Sequence, residues 1–131
     1  MKKEVLKILL IAIGIYTFYT QNIHAGTEPK TIWVEEAYWY MQRNQNITIL
    51  DVRTEEEFEE DGSLYHAKLI PLAILAHNLD KLDKSKTIIV YCYSGRRSGK
   101  AATLLSKHGF TVLNLSGGIS AWIDMDFPYN F

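Results

Sequence analysis

The sequence predicts an α/β fold: one domain on a parallel five-stranded sheet with helices on both faces. Three observations carry that expectation. From about residue 31 onward, five short apolar runs alternate with segments whose apolar residues recur at helical spacing. Strands that alternate with helices are joined by crossovers into parallel sheets. The run Thr87-Ile88-Ile89-Val90-Tyr91 is apolar without alternation, as a strand buried on both faces must be. A length of 131 residues suits a single domain with a real core.

Residues 1–25 fall outside that domain. Lys2, Lys3 and Lys7 precede an apolar run over 8–15, and Ile23-His24-Ala25 ends on a small residue. That is the layout of a secretory signal peptide cleaved after Ala25, with an exported chain as the product. An uncleaved membrane anchor is the rival layout, since no charge falls between Lys7 and Glu28. Thr17, Thr20, Gln21, Asn22 and His24 weigh against it, because a spanning helix needs ~20 mostly apolar residues.

Residues 26–30 read as a polar linker, and the domain occupies 31–131. A short strand is expected at 31–33 and a helix over about 34–43, with Ala37, Tyr38 and Met41 at helical spacing. Residues 47–52 are a β-branched strand. Thr54 is placed to cap an acidic helix over 55–60, with Glu57 at the capping-box position and carboxylates that suit the dipole. Gly62 ends that helix, and 64–70 is an irregular or edge strand stopped by Pro71. A helix is expected over about 72–82, then the strand 87–92. An amphipathic helix over 98–108 turns Ala101, Ala102, Leu104 and Leu105 inward and stops at Gly109. A strand over 110–115, a turn at Gly117-Gly118 and a last helix from 119 complete the domain. Trp33, Tyr38, Trp39, Tyr40 and Trp122 read as core and helix-packing residues, and Tyr93 as a residue at the pocket mouth.

After loss of residues 1–25 the chain carries 11 basic and 14 acidic residues, net −3. No basic stripe runs along a helix face, which argues against a nucleic-acid partner. Stable membrane association is not expected after cleavage. Arg96, Arg97 and Lys100 are a local exception, and a cationic spot on a mildly acidic protein points to a small anionic substrate. His24, His66, His77 and His108 lack metal-ligand spacing, so no metal site is expected. Gly95 to Ala101 is one residue short of a phosphate-binding loop and lacks the hydroxyl residue after Lys100.

Cys92 is the chain's one cysteine, at the carboxyl end of the most strand-like run. A lone cysteine is usually a small buried hydrophobe. That role fits poorly with the Gly95, Arg96 and Arg97 that follow. Backbone N–H groups and the positive end of a helix dipole converge at such a turn and favour the nucleophilic thiolate. Asp51 and Arg53, at the end of another strand, read as supports for the site, with Asp51 accepting from N–H groups of its own turn. Ser94 and Ser98 are candidate donors to sulfur, with helix capping the expected role of Ser98.

Four residues separate Cys92 from Arg97, one fewer than cysteine phosphatases use, which makes a tighter cradle. The segment resembles the rhodanese active-site loop, Cys-x-x-Gly-x-Arg. Further similar stretches follow in order: Asp51-Val52-Arg53 with Glu57-Phe58, Ala67-Lys68-Leu69-Ile70-Pro71, Gly109-Phe110, Leu115-Ser116-Gly117-Gly118-Ile119-Ser120-Ala121-Trp122, and Phe127-Pro128. The likeness covers about residues 31–128. His66 departs from it by standing where the family has glycine, so a different local turn is expected.

The resemblance implies a rhodanese-like domain that moves a sulfane sulfur from an anionic donor such as thiosulfate to cyanide or a thiol through a Cys92 persulfide. It implies a substrate loop of Tyr93, Ser94, Gly95, Arg96, Arg97 and Ser98. In that loop Gly95 supplies a positive φ, Arg97 is the fixed cation and Arg96 meets the incoming anion. No cofactor is implied. Two other readings stay open: a cysteine phosphatase or arsenate reductase on the same scaffold, and a non-catalytic module that relays persulfide.

Overall fold

Each strand is carried back to the same end of the sheet by a crossover, so the five strands of the sheet pair in parallel. The computed structural model describes residues 2–23 and 28–131. Strands β1 (Lys30–Ile32), β2 (Ile47–Asp51), β3 (Lys68–Leu69), β4 (Thr87–Tyr91) and β5 (Val112–Leu115) lie in the order β1-β5-β4-β2-β3. The helices are α1 (Lys2–Ile23), α2 (Val34–Arg43), α3 (Glu55–Glu60), α4 (Leu72–Leu75), α5 (Arg96–Lys107) and α6 (Gly118–Asp124). The expected cleavage point after Ala25, His24, and residues 26–27 of the linker lie outside the described residues.

The core has two layers, one on each face of the sheet. On one face Ile88, Val90 and Cys92 pack with Leu75, Ala101, Leu105 and Phe110. On the other, Ile89 and Tyr91 pack with Ala37, Ile119 and Trp122. Alternate residues of β4 thus serve opposite layers, which is why that strand is apolar throughout. Each fully buried Ile or Leu contributes about 1.5–3 kcal/mol. An aromatic group closes the second layer: Tyr38 stacks on Phe127 with centroids 4.5 Å apart, and the Trp122 indole N–H donates to the Pro128 carbonyl at 3.0 Å.

Several expectations are corrected. The helix expected over 72–82 breaks into α4 and a 3-10 turn at Leu79–Lys81. Asn78 causes the break: its side-chain amide donates to the Ile74 carbonyl at 2.7 Å, while its own N–H turns to Leu75 at 3.0 Å. The side chain takes the acceptor that a continuing helix would have used. Trp33 and Trp39 are exposed rather than core. The edge strand shrinks to the two residues of β3. His66 adopts φ +62°, in the left-handed region that glycine enters at least cost.

The described side chains of α1, through residue 17, are all exposed. Among the described residues no helix is long and apolar enough to cross a membrane.

Candidate active site

Cys92 follows β4 directly and is 1 % exposed. Its Sγ accepts the Gly95 N–H at 3.1 Å and lies 3.4 Å from Ser98 Oγ. The chain turns back this sharply because Gly95 takes φ +104° as the N-cap of α5. The helix therefore starts at Arg96, two residues before the expected point, and Ser98 is its third residue. Ser98 does not cap it, since Gly95 occupies the cap and the buried Ser98 hydroxyl turns to the sulfur instead.

Burial alone would push the Cys92 thiol up. Hydrogen bonds from the Ser98 side chain and from the Ser98, Gly95 and Ser94 backbone outweigh it and hold the thiol below its ordinary range. Neutral donors, rather than a facing arginine, dominate the thiolate's surroundings. The loop is also tied from behind: the Ile119 N–H donates to the Cys92 carbonyl at 2.9 Å and the Ser120 N–H to the Tyr93 carbonyl at 3.1 Å. Gly118, at φ +59°, permits that approach, because a Cβ there would run into both carbonyl oxygens.

Arg97 is not directed at the sulfur alone. It makes a two-pronged ion pair with Glu57, both N···O distances being 2.7 Å. Its hydrogen bond holds the Glu57 carboxyl down at about 2. Glu57 has a second duty as the capping-box residue of α3, accepting the Thr54 N–H at 3.0 Å while its own N–H donates to Thr54 Oγ1 at 3.2 Å. One carboxylate thus locks α3 to the first turn of α5. Arg96 is exposed and has no ion pair among the described residues; Tyr93, Ser94 and Lys100 are exposed around it.

Asp51 and Arg53 form a fully buried pair beside the loop, with Nη2 to Oδ2 at 2.7 Å and Nε 3.0 and 3.1 Å from the two oxygens. The Arg53 N–H also donates to Asp51 Oδ1 at 2.9 Å, the turn bond expected of Asp51. Arg53 Nη2 reaches on to the Gly62 carbonyl at 2.6 Å, and the Tyr91 hydroxyl accepts the Leu64 N–H at 3.1 Å. A buried charge is tolerable only when every partner is present, and here the pair fastens segment 62–64 to the end of β2.

Sequence reasoning placed Cys92, Gly95, Asp51 and Arg53 together and named Ser98 as a candidate donor to sulfur, but it preferred capping for Ser98 and missed the reach of Glu57 to Arg97. Glu57 carried a signal as a capping residue. Nothing in the local pattern gave its partner 40 positions away.

A parallel α/β sheet with a cysteine at a strand's carboxyl end, cradled by the N–H groups of the following turn, defines a protein built to stabilise charge on sulfur. The model of the rhodanese-like domain matches residues 34–125, and the chain belongs to that family. A sulfurtransferase of Allochromatium vinosum is 32% identical over 85 residues, 64% of this chain and 78% of that one. Thiosulfate sulfurtransferase GlpE of Coxiella burnetii is 35% identical over 85 residues, with the same shares of 64% and 78%. Among solved structures, a rhodanese-related protein of Thermoplasma volcanium superposes with TM-score 0.71 at 30% identity, over 76% of this chain and 96% of its own. A rhodanese-like domain protein of Staphylococcus aureus gives 0.66 at 33%, over 71% and 90%.

Proposed function

We propose that the protein is a sulfurtransferase that carries sulfane sulfur as a Cys92 persulfide. The observation that carries this reading is the tight cradle, in which Gly95 N–H lies 3.1 Å from Sγ and the first turn of α5 closes over it. In the first step the Cys92 thiolate attacks the outer sulfur of a donor such as thiosulfate. A new S–S bond forms, the donor's S–S bond breaks, and sulfite leaves with the electron pair. The persulfide's terminal charge then lies among the donors that favoured the thiolate, which act as an oxyanion hole does. In the second step cyanide or a thiol attacks that terminal sulfur and regenerates the thiolate. Two half-reactions through one covalent intermediate require ping-pong kinetics. Arg96, exposed beside the loop, meets the anionic donor, while Arg97 and Glu57 hold the loop's shape.

The reading extends to export. The exposed apolar side chains of α1 and the three lysines at its start suit a signal segment removed to leave the domain alone.

Intact-protein mass spectrometry before and after thiosulfate tests both parts. The expected result is a chain beginning at Gly26 that gains one cyanide-removable sulfur atom, with no gain in Cys92→Ala. Sulfur uptake by Cys92→Ala would overturn the mechanism, and an intact N-terminus on exported protein would overturn the cleavage.

A further inference from the structure

A cavity of about 710 Å³ lies away from Cys92, at the opposite end of the sheet. Its floor is Ile47, Thr48 and Ile49, the amino-terminal part of β2, whereas Cys92 follows the carboxyl end of β4. The topology opens it. β3 is two residues long and pairs with Leu50 and Asp51 alone, so β2 is an interior strand at its end and an edge strand at its start. The Ile70 N–H donates to the Asp51 carbonyl on the β3 side. Strand alternation turns the N–H and C=O groups of Ile49 and Ile47 to that same side. The parallel register gives the Ile49 carbonyl to the Lys68 N–H, and among the described residues no strand, turn or loop backbone bonds to the Ile49 N–H or to Ile47 on that side.

The walls of the notch differ in character. Tyr38 and Met41 of α2 make an apolar wall on one face, and residues 81–86 make a polar wall on the other. Lys68, Lys81 and Lys86 line the notch against one carboxylate, Asp83, which is already taken up by Ser85 at 2.7 and 2.9 Å. This is a cationic patch on a chain of net charge −1. Lysines on an open edge repel other basic edges and admit acidic ones.

We propose that this notch binds an extended acidic segment of a partner protein, which adds to β2 as a strand. Its backbone pairs with Ile47 and Ile49, its apolar side chains lie toward Tyr38 and Met41, and its carboxylates meet Lys68, Lys81 and Lys86. The groups left free at strand spacing, the Ile49 N–H and both main-chain groups of Ile47, select an extended chain, and the flanking lysines select its charge. The partner docks remote from Cys92 and leaves the sulfur site open.

The probe is a blocked heptapeptide alternating glutamate and valine, titrated into the full chain by calorimetry with amide hydrogen exchange read alongside. Exchange at Ile47 and Ile49 should slow about tenfold or more at saturation, and affinity should fall with added salt. The Lys81→Glu/Lys86→Glu variant should bind about tenfold more weakly while still taking up sulfur from thiosulfate. Methylation of alternate peptide nitrogens should abolish binding without altering the protein. Equal binding of the lysine–valine peptide, or unchanged exchange at Ile47 and Ile49 under saturating peptide, would overturn the proposal. Protection of the same amides by self-association without peptide would assign the notch to a second copy and overturn it too.

Discussion

Ser98→Ala should raise the Cys92 pKa more than Arg97→Ala does, although Arg97 carries a full charge and Ser98 none. The Ser98 hydroxyl lies 3.4 Å from Sγ with both groups buried, whereas Arg97 spends its two shortest bonds on Glu57. At the long end of sulfur hydrogen bonding, the lost bond to a charged acceptor is worth about 1 kcal/mol. A factor of ten is about 1.4 kcal/mol, so the thiol–thiolate balance should move about fivefold toward the thiol. Below the pKa, the thiolate fraction then falls about fivefold, and the greater basicity of what remains restores about twofold. The net effect is a twofold to threefold slower alkylation at neutral pH, about the limit that one neutral donor can impose. Alkylation by iodoacetamide, followed by mass across a pH series, reads both the midpoint and the plateau for the two variants. A larger shift in Arg97→Ala, or none in Ser98→Ala, would refute the view that neutral donors hold the thiolate.

Glu57→Gln keeps a side chain able to complete the capping box of α3 but removes the ion pair with Arg97. The Glu57 carboxyl is held at about 2 against an ordinary 4.5, so its contribution is complete above about pH 4.5 and is lost as pH falls toward 2. For a partly exposed pair this amounts to about 1 kcal/mol, so urea midpoints of wild type and Glu57→Gln should differ at pH 7 and converge toward pH 2. A gap that persists there would remove the pair from the account. Gly118→Ala places a Cβ against the Cys92 and Tyr93 carbonyls at a positive φ, and should cost about 3 kcal/mol or more in thermal unfolding. A wild-type melting curve would show that the loop is not held from behind. His66→Gly should be neutral or stabilising by up to about 1 kcal/mol and His66→Val destabilising by about 1–2 kcal/mol, because residue 66 sits at φ +62°. Denaturant titration of the two variants checks the order.

The sequence by itself determined the features whose causes are local. Apolar runs of β-branched residues became β2 and β4, Thr54 and Glu57 formed the capping box, and Gly109 ended α5 at φ +87°. Cys92 at a strand end before a glycine was legible as a charge-stabilised sulfur because strand, turn and dipole are all properties of adjacent residues. Local pattern failed where two local causes competed. Residues 72–82 have helical apolar spacing, yet Asn78 draws the Ile74 carbonyl away and breaks the helix. Trp33 and Trp39 likewise read as core by residue type and lie exposed, because burial depends on which face a neighbouring element covers.

What only the tertiary structure decided are relations between residues far apart in the chain. Arg97 follows Cys92 by five positions and reads as its cation, but α3 brings Glu57 across 40 positions to claim it. Ser98 turned from a cap into a sulfur partner because Gly95 started the helix earlier and rotated the first turn over Sγ. The open edge of β2 follows from strand order and from the brevity of β3, and no window of the sequence contains both. The sulfur's chemistry was therefore written locally, while its partners and the second surface were fixed by how the sheet assembled.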